Sequence, residues 1–100
     1  MNKVDHIDSK HPFVGTWVTE GDDSAAEFTI KVTSGNLSVS GQDRLDGEAF
    51  EIYDVSWKQD ILNFTSRMPS ADHTVKHTFT LVSENKVRHE YTLTETWIKA

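Results

Sequence analysis

Thr74-Val75-Lys76-His77-Thr78-Phe79-Thr80-Leu81-Val82, then Ser83-Glu84-Asn85, then Lys86-Val87-Arg88-His89-Glu90-Tyr91-Thr92-Leu93 is the stretch that decides the fold. Its apolar residues recur at every second position on both sides of a short polar turn, which is the period of a strand and not of a helix. Setting Leu81 opposite Val87 places Phe79 across from His89 and His77 across from Tyr91. Val75, His77, Phe79, Leu81, Val87, His89, Tyr91 and Leu93 then share one face, and Thr74, Lys76, Thr78, Arg88, Glu90 and Thr92 take the other. One side is core and the other is water.

Working outward, the same alternation, punctuated by Gly, Asn, Asp and Pro, predicts seven strands in all. The first runs from Phe13 to Glu20 and turns at Gly21-Asp22-Asp23-Ser24. The second spans Ala25 to Thr33 with a turn at Ser34-Gly35-Asn36, and the third covers Leu37 to Gln42. The fourth, Ala49 to Trp57, follows a turn at Leu45-Asp46-Gly47, and the fifth, Ile61 to Met68, follows Lys58-Gln59-Asp60. Pro69-Ser70-Ala71-Asp72 breaks the chain before the sixth strand, Thr74 to Val82, and the seventh extends from Lys86 to Ile98. Pairing Glu20 with Ala25 sets Trp17 opposite Phe28, Gly15 opposite Ile30 and Phe13 opposite Val32. A four-residue turn then sets Ile30 against Val39 and Val32 against Leu37. Every connection is short, so the expected fold is all-β: an antiparallel up-and-down meander of seven or eight strands, closed or nearly closed into a small barrel. Residues 1–11 are polar and read as an N-terminal arm, with residues 12–100 forming one barrel domain.

The fourth and fifth strands carry apolar residues on both faces. A three-residue turn groups Phe50, Ile52, Asp54 and Ser56 with Leu62, Phe64, Ser66 and Met68, which matches the core parity of the neighbouring strands. Tyr53, Val55, Trp57 and Ile61 then form an outward apolar patch of the kind that marks a partner, here a second copy in a homodimer. A β-bulge near Asp54 is the alternative, and it would swing Trp57 inward and dissolve the patch.

The 100 residues are enough for one domain with a core, and 36% hydrophobic content with three Trp and five Phe supplies the material for it. Sixteen acidic against ten basic residues leave a net charge of −6, and the Lys and Arg are scattered, so nucleic acid is excluded as a partner. No apolar run approaches a membrane span, and Met1 to Lys10 offers no signal-peptide core, so the expected compartment is the cytoplasm. The absence of cysteine removes disulfides, thiolate chemistry and Cys-based metal centres. The sequons at Asn36 and Asn63 read as chance without a secretory route.

The Gly15-Thr16-Trp17 triplet heading the first strand of an antiparallel meander resembles the opening of the calycins: lipocalins, fatty-acid-binding proteins and avidins. The resemblance implies a barrel with a small-molecule cavity, closed at one end by Trp17 packed against a basic side chain from the last strand, which here is Lys99. Read without it, Trp17 is a core aromatic beside a glycine that relieves crowding. A closed meander needs an even number of strands. Seven can be reconciled with closure if residues 3–8 add a strand or if the stretch 86–98 bends in two at Thr94; otherwise the sheet stays open and two chains cover each other.

The leading functional expectation is a noncatalytic protein that binds a small apolar or amphiphilic ligand among Trp17, Phe28, Ile52, Phe64, His77, Phe79, His89 and Tyr91. No cofactor is implied. His77 and His89 fall as diagonal neighbours on the inner face, roughly 7 Å apart at Cβ, and read as inward rings bonded to Tyr91, a carboxylate or water in preference to metal ligands. Asp54 and Glu95 share the inner parity. Two other readings stand beside binding: a homodimeric interaction module with a side-chain-filled barrel, and an enzyme pairing an inner-face histidine with one of these carboxylates. His6, His11 and His73 read as solvent-facing.

Overall fold

The computed structural model describes residues 11–21 and 25–100. It contains seven antiparallel strands: β1 (Gly15–Trp17), β2 (Ala26–Thr33), β3 (Asn36–Asp43), β4 (Glu51–Lys58), β5 (Ile61–Met68), β6 (His73–Ser83) and β7 (Lys86–Thr94). They form a sheet of order β1-β2-β3 and a sheet of order β4-β5-β6-β7. The two are stitched where β3 leaves off, by a bridge of Gln42 with Ala49 and by the Phe50 N–H donating to the Gly41 carbonyl at 2.9 Å. The extra strand considered at residues 3–8, most of the N-terminal arm and the turn at residues 22–24 lie outside the described residues. No helix among the described residues is long and apolar enough to cross a membrane.

The expected registers hold in the β1–β2, β2–β3 and β6–β7 hairpins. Trp17 faces Phe28, Gly15 faces Ile30, Ile30 faces Val39 and Val32 faces Leu37. Leu81 faces Val87, Phe79 faces His89 and His77 faces Tyr91. The β2–β3 turn is tighter than expected, because Thr33 pairs with Asn36 across Ser34 and Gly35, both at positive φ. That left-handed pair matches the twist of the strands it joins. Gly15 sits at φ +143°, with nothing near the place of an added Cβ. Its glycine is therefore required by the backbone and not by crowding around Trp17.

The inner faces of the two sheets meet in one core of Phe13, Phe28, Ile30, Leu37, Leu62, Phe64 and Phe79. Phe28 is its hub, with its ring centroid 5.1 Å from that of Phe64 and 6.3 Å from that of Phe79. Gly41, opposite Phe28, leaves the ring its space: a Cβ there would stand 2.6 Å from Phe28 Cδ1. A larger residue at 41 would push into the hub.

Three sequence expectations meet a different outcome. First, closure into a barrel is not seen among the described residues: the strands form two sheets, neither closes on itself and β1 does not pair with β7, which leaves the open alternative. β1 is only three residues long and β7 ends at Thr94 with no strand after it, so the seam lacks two long edges to join. Second, β4 carries a bulge: Tyr53 pairs with Thr65 but Ser56 with Asn63, and Asp54 between them has φ 55°. The extra residue shifts the parity of everything after it, and Trp57 packs against the core while Tyr53, Val55 and Ile61 stay exposed. The outward patch loses its largest member. Third, His11 is not solvent-facing. Its ring stacks on Phe13 with centroids 5.7 Å apart and meets Trp57 edge-on at 5.5 Å, while its Nδ1 accepts the Phe13 N–H at 3.2 Å.

Candidate functional site

The open seam leaves a cleft of about 570 Å³ between the β1–β2 and β6–β7 sides of the molecule. Trp17 and Phe28 form one wall, and Val75, Phe79, Val87 and Leu93 form the other. Strand alternation places all six on inner faces. Trp17 is fixed by its Nε1, which donates to the Phe13 carbonyl at 2.8 Å, and by an edge-on contact with Phe79 at 6.5 Å. A smaller recess of about 170 Å³ extends behind Phe28 toward Phe50, Met68 and Ser66. Ala26, Phe28, Val75, His77 and Leu93 are common to both hollows.

The polar feature of the cleft is a hydrogen-bonded chain across three strands. Ser66 Oγ on β5 lies 2.7 Å from Nε2 of His77 on β6, and Nδ1 of His77 lies 2.8 Å from Nε2 of His89 on β7. Rings stack along the same line: Phe64 on His77 at 4.5 Å, His77 on His89 at 5.0 Å and His89 on Tyr91 at 5.1 Å. The sequence register put the two histidines on one face; the ring stacking brings them into direct contact.

Proton bookkeeping fixes what this chain can do. With both rings neutral, one imidazole donates across the 2.8 Å contact and the other accepts, and the Ser66 hydroxyl supplies or takes the remaining bond. Adding a proton to each ring would set N–H against N–H. Burial, helped by the charge His89 would carry, pulls His77 down to about 4, and burial also lowers His89. The pair is neutral at pH 7. Among the described residues no buried side-chain nitrogen or oxygen is left without a hydrogen-bond partner. His89 Nδ1 has no hydrogen-bond partner among the described residues, and His89 itself is exposed along the cleft.

Six of the expected ligand residues, Trp17, Phe28, His77, Phe79, His89 and Tyr91, line this one cleft. Phe64 and Ile52 do not. Phe64 is in the core behind His77, and Ile52 packs on the core from β4, facing Ser66. Ser66 is the residue the sequence reading passed over, although its inner parity beside Phe64 was visible. A serine opposite Val75 and diagonal to a histidine was the available signal.

The carboxylates do not join the histidines. Asp54 is carried off by the bulge to an outer groove with Asn63, Thr65 and Lys76. Glu95 lies past the end of β7, where it pairs with His73 at 3.6 Å and accepts the Trp97 indole N–H at 2.9 Å. His73 is thus engaged, and an acid–base pair of an inner histidine with either carboxylate is not assembled. Lys99 is exposed beyond the last strand, and the described partners of Trp17 are Phe13 and Phe79. Among the described residues no group of three or more His, Cys, Asp or Glu side chains could hold a metal ion.

On the outer face, Arg67 ties β5 to its neighbours, with bonds to Glu51 at 3.1 Å and to Asp72 at 2.9 Å. Glu51 also accepts the Tyr53 hydroxyl, and these bonds lower the Glu51 carboxyl and raise the Tyr53 phenol and Arg67. Tyr53, at the head of the expected dimer patch, is held down in this network.

The chain has no significant match to a protein-family model, to a curated protein or to a solved structure.

Proposed function

We propose that this protein binds a small, partly apolar molecule in the cleft between β1–β2 and β6–β7, without catalysing a reaction on it. One observation carries the reading: the inner face of β7 is left uncovered, with Tyr91 64% and Leu93 46% exposed, opposite an aromatic wall of Trp17 and Phe28. Apolar walls around a few convergent polar groups are the usual make-up of a ligand site. His89 supplies the polar group, and an alcohol, amide or acid of the ligand would meet its free Nδ1. On this reading the chain is a calycin-like sheet open along one seam, with Trp17 of the Gly15-Thr16-Trp17 triplet lining the cleft.

The test is a thermal-shift screen of fatty acids, short amphiphiles, haem and divalent metals, because a ligand held only by the folded state raises the midpoint by mass action. Wild type is compared with Leu93→Trp, which fills the cleft, and with His89→Ala, which removes the polar contact. A compound that stabilises wild type and neither variant supports the cleft as its site. Equal shifts in all three proteins, or no shift from any compound, refute the reading.

A further inference from the structure

β7 is the last strand of its sheet, with β6 on one side and no strand on the other among the described residues. Nine residues long, it is paired to β6 without a break from Thr74–Thr94 to Leu81–Val87. Such an edge can accept another extended chain, and proteins blunt it with short length, proline, bulges or charge. β7 is long and has no proline, and between Val87 and Thr94 its pairing has no bulge. Its protection rests on the charges that face outward, Lys86, Arg88 and Glu90.

Those charges are complementary to themselves. Arg88 and Glu90 are exposed, have opposite sign, flank His89 and make no ion pair or side-chain hydrogen bond among the described residues. In an antiparallel pairing of two copies about a two-fold axis through His89, Arg88 of each chain stands directly opposite Glu90 of the other. Val87 then faces Tyr91 on the inner side, covering apolar surface that the single chain leaves open. Centring one residue later sets Glu90 against Glu90, and centring one residue earlier sets Arg88 against Arg88, with Glu90 then opposite Lys86, which is already paired to Glu20; like charges directly opposite are unfavourable. Of these registers, the His89-centred one has two opposite-charge pairs and no like-charge pair. Lys86 is held to Glu20 at 3.1 Å by an ion pair that is exposed on both sides, so it is a weak obstacle at one end of the edge.

We propose that β7 is a self-association surface, on which two copies pair β7 to β7 antiparallel with His89 at the two-fold axis, giving an eight-stranded sheet across the dimer. The pairing is isologous, as in most dimers of identical chains. It does not depend on what the cleft binds.

Sedimentation or light scattering at rising concentration should show a monomer–dimer equilibrium. Arg88→Glu and Glu90→Arg should each raise the dissociation constant at least tenfold, and the double reversal should bring it back, because opposite charges then face each other again. The absence of cysteine allows a direct check of register. Mixing Lys86→Cys with Thr92→Cys chains and oxidising should give mixed disulfide dimers, since opposed residues fall within disulfide reach. His89→Cys should crosslink to itself, and Lys86→Cys alone should not. A protein that stays monomeric at hundreds of micromolar overturns the proposal. So does a dimer indifferent to both charge reversals, or crosslinking that ignores this register.

Discussion

β6 and β7 read alike in the sequence, with alternating apolar residues of the same parity, and they are hydrogen-bonded neighbours. Their inner faces nonetheless end in different surroundings. His77 and Phe79 on β6 are buried, at 6% and 4% exposure, whereas Tyr91 on β7, directly opposite His77, is 64% exposed. Alternation decides which way a side chain points; what lies opposite decides whether it is covered. Phe28 of β2 packs on both His77 and Phe79, and Trp17 of β1 adds an edge-on contact to Phe79, whereas the described ring partner of Tyr91 is His89 of its own strand. The cleft follows from that missing cover.

The largest expected effects separate the two strands by truncation. Phe79→Ala should cost about 3–5 kcal/mol, as buried aromatic truncations do, and Tyr91→Ala less than about 1 kcal/mol. Urea unfolding of the two variants measures both, and similar losses would mean that β7 is covered after all.

Acid sharpens the comparison next. His77 is held at about 4, below the ordinary histidine value of 6.5 that the unfolded chain regains. Between these values the unfolded state binds the proton and the folded state does not, so stability falls as pH drops from about 6.5 toward 4. The loss is about 2–3 kcal/mol for the His77 site. Stability measured across that window should flatten in His77→Phe and change less in His89→Phe, because His89 is more exposed. A flat wild-type profile would show that the imidazole pair is not desolvated.

Adding atoms tests coverage from the other direction. Gly41→Ala should cost about 1–3 kcal/mol, since its methyl meets the Phe28 ring in a filled core. Leu93→Trp, on the uncovered strand, should change stability by no more than about 0.5 kcal/mol. Thermal melts of the pair rank the two sides, and a costly tryptophan at 93 would mean that the cleft has no room to receive one.

Much of the fold could be read from residue order, for reasons visible in particular residues. Ile30 and Val39, or Phe79 and His89, sit in long hairpins whose turns admit one register, so alternation alone pairs them correctly. The ends of β1 and β7 were overextended. Val18 and Trp97 continue the alternation past the point where the backbone has left the sheet, and side-chain pattern carries no record of where pairing stops. The bulge at Asp54 defeats parity in a different way, since one uncounted residue inverts every assignment that follows. Of the site, the histidines and the aromatic wall were visible as inner-face residues. Ser66 was not recognised, because a lone serine on a core face acquires meaning only from the imidazole beside it. His11 was misjudged because its packing on Phe13 and Trp57 depends on Trp57 turning inward.

The Asp54 bulge also bears on how this chain can change length. Ile52 faces Ser66 before it and Trp57 faces Leu62 after it, and those pairings differ by one residue of register. Deleting a single residue at 54 or 55 would bring both into one continuous ladder, with Ile52 and Trp57 still pointing into the core. A deletion elsewhere in β4 turns part of the strand inside out. Positions 54 and 55 are therefore where this sheet can lose a residue, or could have gained one, without exchanging its inside for its outside.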